Sequence, residues 1–62
     1  MIVFESEYGE GVVTYMFDEE GNETDKPTET YRIIVKMLTG QYKDKFLVMN
    51  IEPDEFTEIT YN

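Results

Sequence analysis

The chain has 62 residues, 14 Asp and Glu against 5 Lys and Arg for a formal net charge of −9, and neither Cys nor His. One small domain over residues 1–62 is expected, burying only about 60% of the surface that its unfolded chain exposes. The missing Cys and His remove disulfide staples, zinc and haem ligand sets and every Cys–His or Ser–His nucleophile, so neither an enzyme nor a cofactor-binding protein is expected.

Ile2-Val3-Phe4 and Val12-Val13-Thr14-Tyr15-Met16-Phe17 are rich in β-branched and aromatic residues and predict strands. Between them, Tyr8-Gly9-Glu10-Gly11 reads as a tight turn, because glycine supplies the positive φ that hairpins need. Asp18-Glu19-Glu20-Gly21-Asn22 reads as a longer hairpin loop, a type I turn closed by Gly21 in the left-handed region. The acids from Asp18 to Asp25 look like a calcium loop at a glance. Counted from Asp18, however, the turn glycine is due at the sixth position and Gly21 stands at the fourth, so a solvated loop is the expectation.

Thr28 to Leu38 carries two readings. As a helix it has Pro27 near its start, Glu29 in its first turn, Gly40 beyond its end, and a stripe of Tyr31, Ile34, Val35 and Leu38. As a strand it alternates Tyr31, Ile33, Val35 and Met37 with Arg32, Ile34, Lys36 and Leu38, and its many β-branched residues favour this reading. Tyr42 to Ile51 predicts a central strand covered on both faces, since Phe46 and Val48 alternate with Leu47, Met49 and Ile51. Pro53 ends it, Asp54-Glu55-Phe56 suits one helical turn, and Phe56 to Tyr61 reads as a last edge strand blunted by Glu58. The expected fold class is all-β, a small antiparallel sheet or barrel of four to five strands. The alternative is α+β, with one helix at about 27–39 packed on a sheet.

Charge is unevenly placed. Residues 1–25 hold eight acids and no base, residues 26–45 hold all five bases and two acids, and residues 46–62 hold four acids and no base. Direct nucleic-acid binding and anionic membranes are disfavoured, because both need cations on the protein. A basic protein partner is favoured. The opening Met1-Ile2-Val3-Phe4-Glu5 has no basic leader, and the longest apolar runs, Ile33-Ile34-Val35 and Phe46-Leu47-Val48-Met49, are too short to span a bilayer. A cytoplasmic, intracellular protein is expected.

Glu5 and Glu7, two apart on a strand, share a face at a spacing of about 6.6–6.8 Å. Glu10, Asp18, Glu19, Glu20 and Glu23 are expected to extend that line, with Tyr8 and Tyr15 as aromatic anchors. A row of carboxylates on a rigid scaffold presents a duplex-like negative field. The expected function is an inhibitor-like acidic module that occludes a basic, nucleic-acid-binding site on a partner protein, as the DNA mimics of viruses and mobile elements do. The alternative is a structural or accessory module that self-associates as a homo-oligomer or joins a larger assembly, since a core this thin needs support. Solubility alone is the competing account of the charge.

Overall fold

Side chains along a strand alternate between two faces, and here the alternation separates a buried face from a bare one. The computed structural model describes residues 2–60, and the side-chain surroundings of residues 2–57. Strands β1 (Ile2–Ser6), β2 (Gly9–Phe17), β3 (Arg32–Met37) and β4 (Phe46–Asn50) form one antiparallel sheet in sequence order. A 3₁₀ turn at Pro27–Glu29 lies between β2 and β3, and helix α1 (Pro53–Thr60) follows β4. The sheet is open rather than closed into a barrel, so the all-β class holds with one short helix added.

Ile33, Val35 and Met37 of β3 are fully buried and form the core with Phe4, Ile51 and Phe56. Ile2, Val13, Met16, Tyr42, Leu47 and Met49 pack around them. All of this lies on one face, where α1 contributes Phe56 to the core; α1 packs on the 3₁₀ turn and on β1. In the 28–38 segment the strand reading prevails, over residues 32–37. Thr28 and Glu29 belong instead to the 3₁₀ turn behind Pro27, whose fixed φ suits a helical start. Thr30 is fully buried, and its Oγ1 donates to the Lys26 carbonyl at 2.9 Å, so its burial leaves no polar group unpaired.

Two expectations are corrected. Residues from Phe56 onward do not form an edge strand; they continue α1, and Tyr61 lies outside the described residues. Pro53 at the helix start loses no hydrogen bond there, and Asp54 and Glu55 complement the positive end of the helix. That helix carries Phe56 to full burial in the core, which outweighs the strand propensity of Thr57 and Ile59. The segment from Tyr42 to Ile51 is also not a central strand covered on both sides. Residues 41–44 form a turn, and β4 starts at Phe46 and is an edge strand with one face exposed.

The first hairpin turns at Glu7-Tyr8, with Ser6 paired to Gly9, slightly ahead of the expected turn. Gly11 lies inside β2, opposite Phe4 and Met37. A Cβ at Gly11 would overlap the Val35 side chain and come within 2.9 Å of the Lys36 carbonyl, so the glycine serves close packing rather than a turn. The second loop forms as expected. The Asp18 carboxylate accepts from the N–H of Glu20 at 3.0 Å and of Asn22 at 2.9 Å, and Gly21 adopts a φ of 88°. A bulge at Thr14 shifts the β2–β3 register, and Thr14 Oγ1 donates to the Ile34 carbonyl at 3.0 Å.

Candidate protein-docking face

The strand register fixes which side chains meet on the face away from the core. Val3, Val12, Lys36 and Phe46 form one row across the sheet; Tyr15, Ile34 and Val48 form the next; Phe17, Arg32 and Asn50 form the last. Antiparallel sheets with one solvated face usually carry polar residues there. Here most of the positions are apolar, and no element among the described residues covers them. Val48 is 64% exposed, Phe46 59%, Tyr15 50% and Val3 46%. The Tyr15 and Phe17 rings stack with centroids 6.3 Å apart, which stiffens the aromatic centre of the face.

At the Phe17 end the face opens into a groove of about 860 Å³. Phe17, Tyr31, Ile34 and Val48 supply its apolar lining. The β2–β3 loop adds Asp18, Glu19 and Glu20, and the segment after β4 adds Glu52 and Glu55. The cation among these lining residues is Arg32, whose Nε donates to the Asn50 amide oxygen at 3.1 Å. Carboxylates therefore dominate the groove, and its lining suits a partner that is basic and carries apolar side chains.

At the opposite end, Glu5 and Glu10 sit directly across from one another on β1 and β2. Like charges in that position destabilise a sheet pair, and the arrangement favours a cationic group brought by another molecule. Glu7 occupies the adjoining turn beside Tyr8. Its negative charge, and secondly its hydrogen bond, raise the Tyr8 phenol above the usual value. The Tyr8 ring meets Tyr42 edge-on at 5.8 Å.

The residues singled out from the sequence thus fall into separate groups rather than one row. Glu5, Glu7, Tyr8 and Glu10 cluster at the first hairpin, Tyr15 stands in mid-face, and Asp18, Glu19 and Glu20 border the groove. Glu23 pairs with Phe17 by an isolated bridge and lines a second, shallower concavity with Asp25 and Glu29. Between Glu10 and Asp18 runs the length of β2, roughly 25 Å at the usual rise per residue, and its outward positions are mainly apolar. Sequence reasoning missed Val3, Val12, Phe17, Ile34, Phe46 and Val48 as site residues, and Glu52 and Glu55 with them. The signal was the apolar character of β4 on both faces: a chain with a single short helix cannot cover both.

Among the described residues the recorded ion pair is Lys26 with Glu29 at 3.9 Å, so Arg32, Lys36, Lys43 and Lys45 do not offset the acidic groups by direct pairing. No helix among them is long and apolar enough to cross a membrane. Comparison with protein-family models, with curated proteins and with solved structures finds no match to this chain.

Proposed function

We propose that this chain is an acidic protein-binding module that docks a basic partner on its uncovered sheet face and acts as an inhibitor by occupying the partner's nucleic-acid-binding surface. The observation that carries the reading is the coincidence of an exposed apolar sheet face with carboxylate clusters at both of its ends. Apolar contact supplies affinity at the centre, and the acids steer and orient a basic partner. The binding energy is expected to concentrate on Tyr15, Phe46 and Val48, which are large, exposed and central. The acids act mainly on association rate and salt dependence.

The test is capture on the immobilised protein from a lysate of its source cells, eluted by a salt gradient and challenged with duplex DNA. Two variants run in parallel: Glu5→Gln/Glu7→Gln/Glu10→Gln, and Tyr15→Ala/Phe46→Ala. The expected result is a basic protein that resists low salt, is displaced by duplex DNA, is released at lower salt from the first variant and is lost from the second. Recovery of the same proteins on wild type and both variants would overturn the reading.

A further inference from the structure

The free edge of the sheet at β4 points to a second function, association of two copies of this chain. Natural edge strands are blunted by charge, proline or cover. The edge strand β4 is Phe46-Leu47-Val48-Met49-Asn50, with no charged residue and no proline. Helix α1 packs on the 3₁₀ turn and on β1, the strand at the opposite edge of the sheet.

Hydrogen bonding fixes which groups this edge presents. The Ile51 N–H donates to the Tyr31 carbonyl at 3.0 Å and the Met37 N–H to the Lys45 carbonyl at 2.8 Å. By the antiparallel alternation, Leu47 and Met49 also turn their backbone groups toward β3, and Phe46, Val48 and Asn50 turn theirs outward. None of these outward groups has a hydrogen-bond partner among the described residues.

Charge chooses the occupant. Lys43 and Lys45, with Asp44 between them, lie just before β4, and Glu52, Asp54 and Glu55 lie just after it. A strand that complements this edge in antiparallel register is acidic beside Lys43 and Lys45 and basic beside Glu52. The β4 of another copy, turned end for end, has that polarity.

We infer that two copies pair β4 to β4 around a two-fold axis through Val48, forming one continuous sheet. Phe46 of each copy lies opposite Asn50 of the other, and every outward N–H and C=O of Phe46, Val48 and Asn50 gains a partner. Leu47 and Met49, half-buried in the single chain, meet across the axis on the core side. About that axis Lys45 of each copy lies opposite Ile51 of the other, one residue from Glu52, and Asp44 lies opposite Glu52. The net charge of −9 per chain opposes association, and the outward backbone groups of Phe46, Val48 and Asn50 set the register.

Sedimentation equilibrium over a wide concentration range tests the dimer. Val48→Pro removes an outward N–H that β3 does not use, and Val48→Lys sets two like charges on the axis through an exposed side chain. Each is expected to weaken dimerisation by about tenfold or more, with an unchanged circular-dichroism spectrum for Val48→Lys. Lys45→Glu, which adds an acid beside Glu52 of the other copy, is expected to weaken it as well. A wild-type chain that stays monomeric at every concentration overturns the inference, and so does a dimer indifferent to both Val48 variants. Either failure leaves the docking face to be judged by its own capture experiment, because that surface is the face of the sheet and this one its edge.

Discussion

Individual side chains in this small protein carry unusually separable tasks. Phe56 closes the core, Gly11 lets β2 approach Val35 and Met37, and Thr30 is buried with its hydroxyl bonded. The acids serve the surface. The Glu7–Tyr8 contact is the clearest local electrostatic case: a neighbouring carboxylate opposes formation of a phenolate. Replacing Glu7 by Gln removes that charge, so the Tyr8 phenol is expected to ionise at lower pH than in the wild type. Following the Tyr8 ring carbons by NMR across the alkaline range checks this, and a titration unmoved by Glu7→Gln would refute it. At this scale the sequence was most legible where a residue had a single local job. Gly21 and Asp18 were readable as a loop from their types alone. Gly11 was not, because the feature that requires glycine there is Val35, 24 positions further along the chain.

At the scale of elements, the loop after β2 is held by its own first residue. Asp18 accepts two backbone N–H groups and Gly21 bonds back to the Asp18 carbonyl at 3.0 Å. The loop brings Asp18, Glu19 and Glu20 to the groove, so its order and the groove's electrostatics are one property. Asp18→Ala is expected to cost about 1 kcal/mol, by analogy with the loss of a helix-capping side chain. In a domain of this size that corresponds to a fall in Tm of roughly 4–8 °C. Thermal unfolding followed by circular dichroism measures it, and an unchanged Tm would show that Gly21 and the strands alone hold the loop. The strands themselves were legible from β-branched and aromatic residues: Ile33, Ile34 and Val35 mark β3 whichever neighbours they have. The C-terminal element was misread for a physical reason. Phe56 to Thr60 has the alternation and the β-branched residues of a strand, but Pro53, Asp54 and Glu55 begin a helix, and only a helix there places Phe56 over the sheet.

For the molecule as a whole, the distinctive property is a two-layer structure with only one layer interface. Among the described residues the sheet is covered on one face by a short helix and bare on the other. That arrangement was not readable from β4, whose apolar residues on both faces resemble a strand buried twice. The candidate site was half legible for the same reason: the acids are conspicuous in the sequence, whereas the apolar face between them depends on which side the helix takes. Fourteen acids on a chain of 62 residues also repel one another in the compact state. Added salt screens that repulsion over a distance of about 8–10 Å at ordinary ionic strength. The Tm of the chain is therefore expected to rise with sodium chloride from a low-salt baseline. A Tm that falls would mean that attractive pairs, rather than repulsion, dominate its surface electrostatics.

The bare sheet face makes the net charge the main barrier to contact between molecules. Near the isoelectric point of about 4.1, the long-range repulsion between molecules vanishes while Val3, Tyr15, Phe46 and Val48 stay exposed. Sheets then meet face to face without an electrostatic barrier. The chain is therefore expected to behave as a charge-stabilised colloid, with light scattering that rises as the pH is lowered toward that point.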